Sequence, residues 1–266
     1  MDNRIAALFK KKKGNILSIF YTAGFPELES TVSIARHLYD AGADIVEIGI
    51  PFSDPVADGP TIQESNKIAL ENGMNVRLLI SQVKEIRNQN IQIPVILMGY
   101  LNPVLQYGME RFVNDASAAG VDGLILPDMP VYEYEENFRT LFERHGLCNT
   151  FLISPTTSEE RIRKIDAASN SFVYAVSASS TTGAKTGFKD DQIDYFRRLR
   201  QMKLKNPCLI GFGISDHETF SKACEFASGA IVGSAFINLL KQSADLEKDI
   251  HRFVKGLKGE QQKVNV

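Results

Sequence analysis

Eight short apolar runs punctuate the chain, at residues 16–20, 45–48, 95–98, 123–126, 150–153, 172–176, 208–211 and 229–232. They are rich in Ile, Val, Leu and Phe with few polar interruptions, the pattern of strands buried on both faces; a strand with one wet face would alternate. Between them lie amphipathic stretches with helical spacing, including 31–40, 111–119, 133–145, 158–168 and 216–226. Start and stop signals bracket several of these. Ser158 precedes Glu159 and Glu160, Ser215 precedes Asp216 and Glu218, and Gly42, Gly120 and Gly146 follow apparent helix ends. Strand and helix alternate throughout, without a long low-complexity linker. This alternation predicts a single (β/α)8 TIM barrel with extra helical segments, one domain over residues 1–266, in preference to an open doubly wound sheet. The extra segments fall in the wide gap at 52–94, where two helical stretches meet around Asn72 and Gly73.

Composition narrows the functional classes. The chain has 266 residues, 44% hydrophobic and 23% charged, enough to bury a substantial core. Thirty Lys plus Arg against 32 Asp plus Glu leave a formal charge of -2, which gives no broad electrostatic footprint for nucleic acid or an anionic membrane. The one basic run, Lys10 to Lys13, reads as a solvated helix end before Gly14. Cys148, Cys208 and Cys224 fit neither a disulfide framework nor a zinc pattern. Four dispersed histidines, His37, His145, His217 and His251, lack metal-ligand spacing and read as surface residues. With no export signal and no apolar stretch of membrane-spanning length, the expectation is a reduced, cytoplasmic protein.

In such a barrel, chemistry belongs at the carboxyl ends of the strands, so polar residues there carry weight. Glu47 sits inside an apolar run, where a charge is costly unless it is paired or faces a solvated cavity. A structural ion pair and a catalytic role are equally open for it. Asp58, followed by Gly59 and Pro60, reads by itself as a turn former. Together the two suit acid and base chemistry: a carboxyl in an apolar mouth should exchange protons near neutrality, and one on a wetter loop should stay ionised. Two glycine-bearing loops, Gly211-Phe212-Gly213-Ile214-Ser215 and Gly233-Ser234-Ala235, follow the seventh and eighth runs, where this fold usually cradles a phosphate. The small, polar loop after the sixth run, through Thr182 and Gly183, reads as a lid.

The stretch P-F-S-D-P-V-A-D-G-P-T-I-Q, Pro51 to Gln63, resembles the signature of tryptophan synthase alpha subunits. Asp128-Met129-Pro130, Thr182-Gly183, Gly-Phe-Gly-Ile-Ser at 211–215 and Gly233-Ser234 follow in that family's order, so the resemblance covers nearly the whole chain. It implies a lyase that splits indole-3-glycerol phosphate into indole and glyceraldehyde 3-phosphate. It also implies an alpha2beta2 complex in which indole passes to a beta subunit carrying pyridoxal phosphate, with no cofactor or metal in this chain. By position it makes Glu47 the mobile acid and base, Asp58 the acceptor of the indole N–H, and Tyr174 a supporting hydroxyl. Phe20, Met98, Ile125 and Phe212 become apolar walls. Gly183, Gly213, Gly233 and Ser234 become the phosphate site, with Thr182 within reach of Asp58. Phe52, Asp54 and Pro55 would face the beta subunit. Met98, in place of a leucine-like residue, and the polar Ser179-Ser180-Thr181 depart from the family pattern.

Other readings fare less well. A sugar-phosphate epimerase would need metal-binding histidines at strand ends, and an indole-3-glycerol phosphate synthase a pair of lysines there; none of the eight runs supplies either. A non-catalytic activator of a beta subunit would have no need of both carboxylates and the phosphate loops. A stand-alone lyase releasing free indole would have the same barrel and the same site.

Overall fold

A computed structural model of the chain describes residues 3–177 and 187–260. Its frame is a parallel sheet of nine strands: β1 (Ile16–Thr22), β2 (Ile45–Gly49), β3 (Val95–Met98), β4 (Gly123–Ile125), β5 (Cys148–Thr150), β6 (Leu152–Ile153), β7 (Val173–Val176), β8 (Cys208–Gly211) and β9 (Gly229–Val232). Their order is β5-β4-β3-β2-β1-β9-β8-β7-β6. The strands at the two ends of that order, β5 and β6, are consecutive in the chain and separated by Phe151 alone. They are the two halves of the expected fifth strand, so the sheet curls into a nearly closed barrel of eight staves. The Phe151 carbonyl accepts from Tyr174 N at 3.0 Å, and its ring packs outward against Tyr134, centroids 5.4 Å apart.

Strand alternation divides the apolar side chains into two bodies. Ile16, Ile45, Ile96, Ile125, Phe172, Leu209 and Ile231 fill the barrel interior. Their neighbours, such as Leu17, Ile19, Val46, Ile48 and Val232, point out to a larger body shared with the surrounding helices. The helix Ser30–Ala41 ends at Gly42 and Met109–Ala119 at Gly120, both in the left-handed conformation (φ 88° and 91°) that stops a helix without a Cβ penalty. The wide gap holds the helices Pro60–Glu71 and Val76–Asn88, the second capped by the Asn75 side chain on Leu78 N.

Three expectations are corrected. The helix anticipated at 133–145 is interrupted by a π-helical turn, Tyr134–Phe138, between Val131–Glu133 and Arg139–Arg144. Tyr134 is fully buried between Phe142 and Phe151, and the wider turn sets its ring there. The helix His217–Phe226 is capped by Asp216, whose Oδ1 accepts from Thr219 N at 2.9 Å, rather than by Ser215. Within the basic run, Lys12 is not merely solvated: its Nζ lies 2.6 Å from Asp44 Oδ2.

The N-terminal helix Arg4–Lys11 closes the bottom of the barrel, with Ile5 fully buried in the interior cluster. Arg4 and Arg87 both pair with the buried Asp122, at 3.0 and 2.8 Å. This leaves the opposite end for chemistry. No described helix is long and apolar enough to cross a membrane.

Candidate active site

Glu47 lies in β2 opposite Phe20 of β1 and Ile96 of β3, and is fully buried. It makes no ion pair among the described residues. Its Oε1 accepts from Ser18 Oγ at 2.6 Å, and Oε2 has no hydrogen-bond partner among the described residues. Burial raises its pKa to about 7, against the Ser18 bond, which lowers it. The carboxyl is therefore poised to give or take a proton near neutrality.

Asp58 sits on the loop that joins β2 to the helix Pro60–Glu71. Its N–H donates to Pro55 O at 3.0 Å and its carbonyl accepts from Gln63 Nε2 at 2.9 Å, a compact turn on a loop whose backbone Pro51 and Pro55 restrict. Although the residue is only half-buried, loss of water raises its pKa to about 6, opposed by a hydrogen bond from Tyr100. The carboxyl is thus less fully ionised than expected for a wet loop, yet remains charged at pH 7.

Tyr100 was not picked out from sequence and proves central to this loop. Its hydroxyl accepts from Ala57 N at 3.0 Å and acts on the Asp58 carboxylate, holding its pKa down, and its ring packs on Phe52 with centroids 5.2 Å apart. Phe52 is accordingly half-buried in its own loop, leaving Asp54 exposed, Pro55 half-buried and Val56 87% exposed. The helix Leu101–Tyr107 that follows Tyr100 is anchored by Asp128, whose two carboxylate oxygens accept from Leu101 N at 2.9 and 3.1 Å. Tyrosines are common, and nothing in its spacing announced that Tyr100 would brace the loop bearing Asp58; Asp128 stood out only within the Asp128-Met129-Pro130 motif, with no hint of its bond to Leu101.

Tyr174 enters from β7, almost wholly buried, and its hydroxyl occupies the space where a Cβ on Gly211 of β8 would project. Phe20 similarly covers the missing Cβ of Gly49 and lies against Gly233. Met98, Ile125 and Phe212 all pack into the same interior cluster as Tyr174. Phe212 adopts φ 68°, a strained left-handed setting for a side chain of its size, and Gly213 follows at φ 74°. The bend turns the Phe212 ring edge-on to Tyr174, centroids 6.4 Å apart, and lets the Phe212 carbonyl accept from Ser177 Oγ at 2.7 Å. Gly233 precedes the helix Ser234–Gln242, and β9, which leads into it, pairs with β8, which leads to Gly213; the first-turn N–H groups of such a helix have no partner within it. Glu47, Asp58, Tyr174, the four apolar residues and both glycine loops thus gather at one end; Thr182 and Gly183 lie outside the described residues.

Comparison with known proteins agrees in extent and in shape. Residues 6–265 match the model of the family described as tryptophan synthase alpha chain. The tryptophan synthase alpha chain of Flavobacterium psychrophilum is 54% identical over 91% of this chain and 94% of its own, and that of Parabacteroides distasonis 50% over 96% and 99%. Among solved structures, the tryptophan synthase subunit alpha of Legionella pneumophila superposes with a TM-score of 0.87 at 34% identity over 98% of both chains. A chain of the tryptophan synthase complex from Pyrococcus furiosus does so with 0.83 at 34%, over 93% of this chain and 99% of its own. A buried carboxyl and a loop carboxyl over an apolar barrel end, on a sequence that matches from end to end, make this chain a member of the tryptophan synthase alpha chain family.

Proposed function

We propose that the chain cleaves indole-3-glycerol phosphate to indole and glyceraldehyde 3-phosphate, a step of tryptophan biosynthesis, in partnership with a beta subunit. The observation that supports it best is the pairing of a fully buried Glu47, its pKa raised to about 7, with a loop-borne Asp58 that stays ionised at pH 7. Glu47 in its acid form protonates the indole at C3. The positive charge that then appears on the ring nitrogen is stabilised by ionised Asp58, which accepts the N–H. Glu47, now a carboxylate, removes the proton of the glycerol hydroxyl next to the ring. The carbon–carbon bond breaks, its electrons return to the indole, and the oxygen becomes the aldehyde. The net transfer is one proton from hydroxyl to C3, and Glu47 is restored.

The apolar residues Phe20, Met98, Ile125 and Phe212 would hold the indole ring, with Tyr174 closing the side by β7. The phosphate would rest where Gly213 and the N-terminal turn beginning at Gly233 and Ser234 offer backbone N–H donors and a helix dipole. Thr182 and Gly183 would complete the site from the loop above. None of these steps calls on a cofactor in this chain; pyridoxal phosphate belongs to the proposed partner. Asp54 and Pro55, with Phe52 bracing them from behind, would face that partner. Val56 and Leu105, 87% and 51% exposed on the two segments that Tyr100 joins, extend the same face with apolar surface. One domain carries all of this. The test is turnover: purified chain with indole-3-glycerol phosphate should release indole, faster with a beta subunit, and absence of release under both conditions would remove the proposal.

A further inference from the structure

Ser18 is a polar residue in an otherwise apolar strand. The run I-L-S-I-F places it on the inward face with Ile16 and Phe20, one layer below Phe20, and it is fully buried. A buried hydroxyl costs free energy unless it is hydrogen-bonded, and a branched apolar residue would fill a strand interior better. Among the described residues its side chain has one partner, Glu47: Oγ stands 2.6 Å from Oε1, the distance of a hydroxyl donating to a carboxylate. Because Ser18 pairs with Ile45, two residues before Glu47, the bond draws the carboxyl down into the barrel and fixes which oxygen is held.

We infer that Ser18 is a positioning residue for the cleavage: its hydroxyl pins Oε1 of Glu47 and leaves Oε2 as the oxygen that exchanges the proton with substrate. The inference rests on the reading of Glu47 as acid and base. A carboxyl that must serve two substrate atoms in turn gains from having one oxygen tethered, since rotation about that tether moves Oε2 without releasing the group. The bond also favours the carboxylate, and so offsets part of the burial that raises the Glu47 pKa. The titratable group beside Glu47 is Tyr174 of β7, which feels the charges of both Glu47 and Asp58. The flanking strands β1 and β3 face it with Ser18, Phe20, Ile96 and Met98, none of which titrates.

Ser18→Ala removes the hydroxyl with little change of shape. The Glu47 carboxyl can be followed by carbon NMR of glutamate-labelled protein, its signal assigned by its loss in Glu47→Gln. In Ser18→Ala its titration should move up by about one pH unit, and the alkaline limb of kcat should move with it. The plateau kcat should fall about tenfold while KM stays near the wild-type value. An unmoved carboxyl titration overturns the proposal, as does one that moves while kcat and its alkaline limb stay where they were. Retention of turnover by Glu47→Gln would instead overturn the assignment of Glu47, and the catalytic role of Ser18 with it; the NMR titration, which needs no turnover, would still report the bond.

Discussion

At the scale of single residues, burial decides the chemistry. Glu47 and Asp58 are both carboxylates, and desolvation raises each, to about 7 and about 6. In the proposed cycle Glu47 acts first as an acid and Asp58 as a base-form partner, so kcat/KM should be bell-shaped, falling below about pH 6 as Asp58 protonates and above about pH 7 as Glu47 ionises; a profile flat across pH 5.5–8 would contradict this. Glu47→Gln and Asp58→Asn should each lower turnover roughly 100 to 10,000-fold with an unchanged circular dichroism spectrum. The same burial should be visible in stability. Because the folded pKa of Glu47 lies above its ordinary 4.5, its contribution is fully present below pH 4.5 and is lost as pH rises through 7, by about 3 kcal/mol. Thermal unfolding of Glu47→Gln against wild type should therefore favour the variant increasingly from pH 4.5 to pH 7.5.

At the scale of elements, close approaches and braces decide what each loop and strand can do. In β9, a Cβ on Gly229 would fall against the Ile16 carbonyl of β1, so Gly229→Ala should cost about 3 kcal/mol in urea unfolding. Gly256, exposed in the helix Leu246–Leu257 with open space around it, gives the opposite sign: Gly256→Ala should stabilise by about 0.5 to 1 kcal/mol. The loop after β2 is held by Tyr100, whose hydroxyl accepts from Ala57 N and holds down the pKa of Asp58. Tyr100→Phe keeps the packing on Phe52 and removes the hydroxyl. The acid limb of activity should then move above about pH 6, because the bond that opposed the desolvation of Asp58 is gone.

At the scale of the whole molecule, the barrel is plugged below by the helix Arg4–Lys11, and the opposite end carries Glu47 of β2, the loop bearing Asp58 and the proposed partner face. Leu105, on the helix braced by Asp128, is the place to test that face without touching the carboxylates. Leu105→Asp should raise about tenfold the beta-subunit concentration needed for half-maximal acceleration, a loss of apolar burial and a desolvated charge. An unchanged half-maximal concentration would move the interface elsewhere. Thr182→Val should lose most of the acceleration while still binding the partner, measured by activation at saturating beta subunit.

What the sequence determined alone is what local chemistry encodes. Eight apolar runs set the staves, because a doubly buried parallel strand needs an unbroken apolar stretch. The glycine loops pointed to the end proposed to carry chemistry, because close backbone approach demands glycine, and the stretch around Asp58 did so by its resemblance to a family signature. Register, packing and hydrogen bonding belong to tertiary structure. The break at Phe151 and the π-helical turn at Tyr134 meet in one aromatic contact. Ser18 looked like an ordinary strand serine until the pairing of β1 with β2 put its hydroxyl on Glu47, and Tyr100 like any other tyrosine until it met a loop more than forty residues earlier. The sequence names a carboxylate in an apolar strand; how strongly it holds its proton depends on neighbours that only the closed barrel brings within reach.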